Sequence, residues 1–160
     1  ELEGAYIINL EDGSEFKITA RADRVELTQN GEITIIDYKT KSTINGIAKG
    51  ILDGTLPQMP LEALMANKSG FNGIEGTTAD MEYWFMTGGN DKKNAITEDT
   101  VAKKLSKIGG IENMLKITAN GINLLVNTFT KEYTPYLSCP DPENEPDFND
   151  YAHLARNKEW

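Results

Sequence analysis

Ala20-Arg21-Ala22-Asp23-Arg24-Val25-Glu26-Leu27-Thr28-Gln29-Asn30-Gly31-Glu32-Ile33-Thr34-Ile35-Ile36-Asp37-Tyr38-Lys39-Thr40 is the stretch that decides how this chain folds. Val25, Leu27, Ile33 and Ile35 recur at every second position on either side of the turn signal Asn30-Gly31, as two paired strands require. A two-residue loop would set Asp23 opposite Tyr38 and send Asp37 to the other side of the sheet. A three-residue loop Gln29-Asn30-Gly31, with Gly31 left-handed, sets Val25 opposite Ile35, Leu27 opposite Ile33 and Asp23 opposite Asp37. We adopt the second register, because a slip of one residue scatters both the apolar set and the acids. Opposed Cβ atoms lie about 5 Å apart, so two carboxylates there repel unless a cation sits between them.

Lys39 follows Asp37 by two positions and therefore shares its face, with Arg21 expected across from it. Asp23 and Asp37 meet the demand of Mg²⁺ for one or two carboxylates, and the backbone carbonyl of Tyr38 is a third candidate ligand. Lys39 is placed to orient a water or to stabilise charge growing on a phosphate. Two carboxylates and one ammonium are the minimal equipment for metal-assisted phosphodiester hydrolysis. The plain alternative is a surface hairpin with solvated charges. Asp37 weighs against it. It directly follows Ile33-Thr34-Ile35-Ile36, where a buried strand continues apolar and a carboxylate needs a partner or a metal.

The chain has 160 residues, 39% hydrophobic and 26% charged, enough for one domain with a sizeable core. No apolar stretch reaches membrane-spanning length and no signal peptide is visible, so no membrane partner is expected. The start without Met leads us to expect a fragment of a larger chain. One cysteine, Cys139, excludes an internal disulfide and suits a reducing cytoplasm, the expected location. A net charge of −9 cuts against free-standing DNA binding. Basic groups nonetheless cluster locally, at Lys39 and Lys41, Lys92-Lys93, and Lys103-Lys104 with Lys107. The acidic run from Asp141 to Asp150 supplies much of the excess charge.

Along the chain, Ala5–Leu10 reads as a first strand, Phe16–Leu27 as a second and Ile33–Thr40 as a third, an opening antiparallel meander. Residues 41–55 form a polar connection with a helical turn near Ile47–Ile51. Pro57–Ala66 is a helix, with Pro60 confined to its first turn. Gln58, Leu61, Glu62 and Met65 share one face of it, and Gln58 in the first turn is within reach of the acids. Ala79–Thr87 is a fourth strand, with Trp84 and Phe85 assigned to the core. Thr97 or Glu98 to Lys107 reads as a short charged helix. Ile111–Thr130 reads as a long amphipathic one, with Leu115, Ile122, Leu125, Val126 and Phe129 as its apolar stripe. The divisions expected are a core over 1–133 and an extended tail over 134–160, ending in a short docking helix through Tyr151, Leu154 and Trp160. His153, the one histidine, is taken as structural or solvated.

Three motifs in order carry a family likeness: Ala20-Arg21-Ala22-Asp23-Arg24-Val25-Glu26, then Ile36-Asp37-Tyr38-Lys39-Thr40, then Leu56-Pro57-Gln58-Met59-Pro60-Leu61-Glu62-Ala63. They resemble the "GRxDRID … IDYKT … QxPLY" pattern of PD-(D/E)xK nucleases, in the RecB-like branch. The likeness is closest to the C-terminal nuclease domain of AddB-type helicase–nuclease subunits. It is dense over residues 20–66 and thin afterwards, where Asp150-Tyr151-Ala152-His153-Leu154-Ala155-Arg156 resembles the end of some such chains. The resemblance implies an α/β, restriction-endonuclease-like core, a mixed central sheet flanked by helices. It implies Asp23 and Asp37 as metal-binding acids, Lys39 as the catalytic lysine and Gln58 as a supporting site residue. The cofactor implied is Mg²⁺, with Mn²⁺ as the alternate ion.

The activity implied is exonucleolytic hydrolysis of DNA in double-strand break repair. A single strand would be delivered from an unwound end by an AddA-like partner subunit. The family's upstream helix, which often supplies a further His or Glu ligand, is not expected within these residues, and Glu3 is the candidate substitute. The four-cysteine iron–sulfur cluster of some relatives is excluded with Cys139 alone. Two other readings keep the fold: a non-catalytic scaffold or DNA-holding module, and a phage-type or CRISPR-associated nuclease. The single cysteine disfavours a CRISPR-associated cluster protein.

Overall fold

A computed structural model describes residues 1–40, 43–88 and 96–137, with Thr97 described for its backbone only. Residues 1–127 form one compact unit and Thr128–Trp160 a second. The first unit opens with β1 (Leu2–Asn9) and β2 (Glu15–Ala22), an antiparallel pair that forms its own two-stranded sheet. The next strands, β3 (Arg24–Leu27), β4 (Glu32–Lys39), β5 (Thr77–Met86) and β6 (Ile96–Thr100), form a four-stranded sheet in chain order. Its β4–β5 pair is parallel and the other two pairs are antiparallel. Helices α1 (Ile47–Leu52) and α2 (Gln58–Ala66) fill the crossover between the parallel strands, which cannot be joined by a tight turn. After β6 come α3 (Val101–Leu105), a 3₁₀ turn over Ser106–Ile108, and the long α4 (Gly110–Phe129).

The mixed sheet with flanking helices is the expected architecture, and the β3–β4 hairpin has the adopted register. Val25 faces Ile35 and Leu27 faces Ile33. Thr28 and Glu32 close the loop through their backbones, with Gly31 at φ 79°, a left-handed conformation that glycine adopts without steric cost. The expected single strand Phe16–Leu27 is in fact two strands in two sheets, broken at Asp23. Arg21 accordingly pairs with Glu3 in β1 rather than lying across from Lys39, and its guanidinium meets Glu1 at 3.0 Å.

One face of the four-stranded sheet carries the core. Ile33, Ile35, Met81, Tyr83 and Phe85 pack with Met59, Ala63, Met65 and Ala66 of α2 and with Val101 and Leu105 of α3. Burial on nearly every side of α2 explains why its sequence is apolar almost throughout. The expected helix from residue 97 begins only at Val101, because Ile96–Thr100 pairs as an edge strand along β5. Asp80 holds that junction. Its Oδ1 accepts from the amides of Met81 at 2.7 Å and Ala102 at 2.8 Å, satisfying a donor at the start of α3.

The α4 stripe is narrower than its periodicity suggests. Met114 and Val126 are buried and Ile122 packs on Ile8 and Leu10, but Leu125 is 53% exposed. Phe85 is core as expected. Trp84 instead points to the opposite face, where its indole donates to Glu82 at 2.8 Å and meets Tyr38 edge-on, under the Arg24 guanidinium.

In the second unit, the Phe129 and Tyr136 rings meet at a tilt, with centroids 4.9 Å apart, and the Thr134 hydroxyl donates to the Thr128 carbonyl at 2.6 Å. Cys139, the acidic run, the docking helix with His153, and Lys41, Lys92 and Lys93 lie outside the described residues.

Candidate active site

Asp37 is the centre of the site. The alternation of β4 turns Ile33, Ile35, Asp37 and Lys39 to the α2 side of the sheet. Ile33 and Ile35 are fully buried there, and Asp37 continues their line at 2% exposure. A carboxylate so far from water is tolerated only with partners, and it has two. Its Oδ2 pairs with Lys39 Nζ at 2.6 Å, a charge contact rather than an aligned hydrogen bond. Its Oδ1 accepts from Gln58 Nε2 at 2.9 Å. Gln58 is the first residue of α2, so the crossover brings it directly over the end of β4.

Asp23 also reaches the site, though by a different route from the one its register implied. The β3–β4 ladder stops at Arg24 opposite Ile36. Asp23 sits in the bend before it and accepts from the Tyr38 amide through Oδ2 at 3.0 Å. The carboxylate thus fixes the backbone between Asp37 and Lys39 instead of facing Asp37 as a cross-strand pair. The Tyr38 side chain leaves for the other face of the sheet, and its backbone runs in the ladder opposite Trp84. Glu3, the candidate substitute ligand, lies exposed within β1 opposite Arg21.

The structure adds two residues to those named from sequence. Glu62, one turn after Gln58, is 2% exposed, and its Oε1 accepts from the same Gln58 amide at 3.2 Å. Its Oε2 is buried without a hydrogen-bond partner. Burial pushes this carboxyl up to about 7, and the charges of Asp37 and Asp23 push it the same way. The Gln58 hydrogen bond and Lys39 pull against them. Tyr83, opposite Asp37 in β5, lies beside Lys39, whose Nζ is 5.9 Å from the ring centroid. Burial raises its phenol to about 12, with Asp37 and Glu62 adding to the effect. A signal for Glu62 was present in the sequence: it is the lone acid within Gln58–Ala66 and stands four residues after Gln58. Tyr83 had no such signal, since aromatic residues are ordinary in a core strand.

The donor set consists of hard oxygens, which suits a Mg²⁺-class ion, and the orphaned Glu62 Oε2 is an acceptor with nothing to bind. As the side chains stand, Lys39 and Gln58 occupy the oxygens of Asp37. No three acids, histidines or cysteines among the described residues converge closely enough to hold an ion. None of the described helices is long and apolar enough to cross a membrane.

Comparison with known proteins bears on this arrangement. The family model described as the PD-(D/E)XK nuclease superfamily matches residues 1–156. An uncharacterized protein of Rickettsia bellii is 39% identical over 96% of this chain and 18% of its own length. An uncharacterized protein of Rickettsia conorii is 26% identical over 98% of this chain and 19% of its own, and one of Rickettsia felis is 28% identical over 98% and 20%. The chain spans about a fifth of the length of these relatives.

Proposed function

Because the chain belongs to the PD-(D/E)XK nuclease superfamily, we propose that it is a metal-dependent deoxyribonuclease domain cutting DNA from an end. Its setting would be a helicase–nuclease of the AddAB or RecBCD kind that processes double-strand breaks. One observation carries the reading: a nearly fully buried aspartate on a core strand, held between an ammonium at 2.6 Å and a helix-borne amide at 2.9 Å. A structural ion pair needs no second carboxylate locking the intervening peptide, yet Asp23 does so.

Asp23 and Asp37 would hold the ion, with the Tyr38 carbonyl as a further ligand. Bound there, Mg²⁺ or Mn²⁺ would polarise the phosphate and lower the pKa of a coordinated water. Lys39, partly open to solvent beside buried Asp37, would orient the attacking water and stabilise charge on the phosphate. Gln58 would keep the Asp37 carboxylate in place. The chain's negative charge fits a domain that receives a strand from an AddA-like partner better than one that captures DNA alone. Lys103, Lys104 and Lys107 offer exposed cations on and just after α3.

The test is digestion of linear single-stranded DNA with Mg²⁺ or Mn²⁺ by the chain, beside Asp37→Ala and Lys39→Ala. Metal-dependent cleavage, reduced at least about a hundredfold in both variants, is the expected result. A chain that neither cleaves DNA nor binds Mn²⁺ would replace the reading with its alternative, a nuclease-like scaffold.

A further inference from the structure

Gln58 is an exposed residue at the first position of α2, yet its amide reaches in to a carboxylate that is 2% exposed. Ordering a long glutamine side chain costs conformational entropy, which a single hydrogen bond barely offsets. The amide also has two unlike ends, a carbonyl oxygen that accepts and an NH₂ that donates. Turned end for end, it would aim its oxygen at Asp37 Oδ1 and repel it. The proposed role of Gln58 therefore needs a second contact, one that draws the side chain inward and selects the nitrogen end.

Glu62 meets both needs. Its neighbours on α2, Met59, Pro60, Ala63, Leu64, Met65 and Ala66, are all buried, and an apolar residue of similar volume would fill position 62 without desolvation cost. Instead the chain keeps a buried acid there. Its Oε1 accepts from Gln58 Nε2 at 3.2 Å, while Asp37 Oδ1 accepts from the same nitrogen at 2.9 Å. An NH₂ group carries two protons, one for each acid, and the reversed amide would set its oxygen against both acids at once. The i, i+4 spacing places Gln58 and Glu62 on one face of α2, so the contact forms within the helix itself. Burial favours the protonated carboxyl. A proton on Oε2, which has no hydrogen-bond partner, leaves Oε1 free to accept, so the contact holds whether Glu62 is charged or neutral.

We infer that Glu62 is a positioning residue: it holds the Gln58 amide nitrogen-first against Asp37, and through that amide it fixes the Asp37 carboxylate beside Lys39. The inference rests on the proposed nuclease activity and extends it to a residue that touches neither DNA nor ion. The QxPLY pattern has a tyrosine at the position of Glu62, so the role is a property of this chain and not one carried over from that pattern.

The side-chain amide of Gln58 reports on this directly, in metal-free ¹⁵N-labelled protein and without reference to cleavage. Both of its protons are expected to resonate away from free glutamine amides and to exchange slowly with water. Glu62→Met is expected to return one of them to the free position and to speed its exchange at least about fivefold. Glu62→Gln, whose carbonyl accepts the same proton, is expected to keep both. In digestion of linear single-stranded DNA with Mg²⁺, Glu62→Met is expected to lower kcat about tenfold or more with KM little changed, and Glu62→Gln to recover most of the loss. Gln58 signals unmoved in folded Glu62→Met would overturn the inference, as would moved signals with kcat within about twofold of the unaltered chain. A Gln58 proton that already behaves as free in the unaltered chain would overturn it even if Glu62→Met failed to fold. No cleavage by the unaltered chain would overturn the nuclease reading, and the amide signals would still decide whether Glu62 holds Gln58.

Discussion

Replacing Glu62 by glutamine in metal-free protein is expected to remove a large part of the pH dependence of folding. Burial first, then the charges of Asp37 and Asp23, raises this carboxyl from 4.5 to about 7 in the folded chain. The unfolded chain gives up the proton near the lower value and the folded chain near the upper one. Between them the folded state binds more protons, so stability falls as pH rises. The contribution is fully present below the unfolded value and is lost as pH climbs through about 7. The gap between the two values corresponds to about 3 kcal/mol, a large share of what holds a domain folded.

Glutamine keeps the shape and the hydrogen-bonding reach of the side chain but carries no titrating proton. Urea unfolding of both proteins, with a chelator present, at intervals from about pH 5 to about pH 8.5 measures the difference directly. Each profile contains every other titrating group, so the subtraction isolates Glu62. The variant is expected to match the unaltered chain at the acid end and to exceed it by about 2–3 kcal/mol at the alkaline end. Parallel profiles would refute the reasoning, since they would mean that Glu62 ionises as freely in the folded chain as in the unfolded one.

Gly70→Ala is expected to cost about 2–3 kcal/mol by the same unfolding assay. Its added Cβ would overlap the carbonyl oxygen of Ala5, a backbone atom that cannot rotate away, whereas Gly121→Ala in open space on α4 is expected to gain about 1 kcal/mol. Asp80→Ala strips the acceptor from the amides of Met81 and Ala102. A loss of about 1–3 kcal/mol is expected, with faster amide exchange at Ala102 as its local signature.

The hairpin was legible because alternation, a turn glycine and the pairing of apolar positions all agree on one register. Asp37 and Lys39 were legible for the same reason, since a strand's period fixes which side chains share a face. Gln58 was placed by helical spacing together with a family pattern. What local pattern could not reveal was tertiary. Asp23 bends the chain out of the first sheet because its carboxylate is engaged by the Tyr38 amide fifteen positions away. Ile96–Thr100 pairs as a strand because β5 offers it an open edge, although its charges suit a helix start equally well. The exposure of Leu125 depends on what packs beside α4, which periodicity does not encode. Glu62 looked like one polar residue of an amphipathic face; its spacing from Gln58 was in the sequence, but its burial was not.

The parallel pairing of β4 with β5 bears on the order in which the chain acquires its site. The two hairpins, β1–β2 and β3–β4, join residues close in sequence and close within microseconds. Aligning β4 with β5 instead requires the whole span from Lys39 to Thr77 to be looped back, an entropic cost met before any contact rewards it. Gln58 and Glu62 lie inside that span. The hairpin therefore carries Asp37 and Lys39 early, as an acid and a base on an open ribbon, while the amide that joins them to Glu62 arrives with the slow closure. Assembly of this cluster is thus a late event of folding, gated by the crossover between β4 and β5.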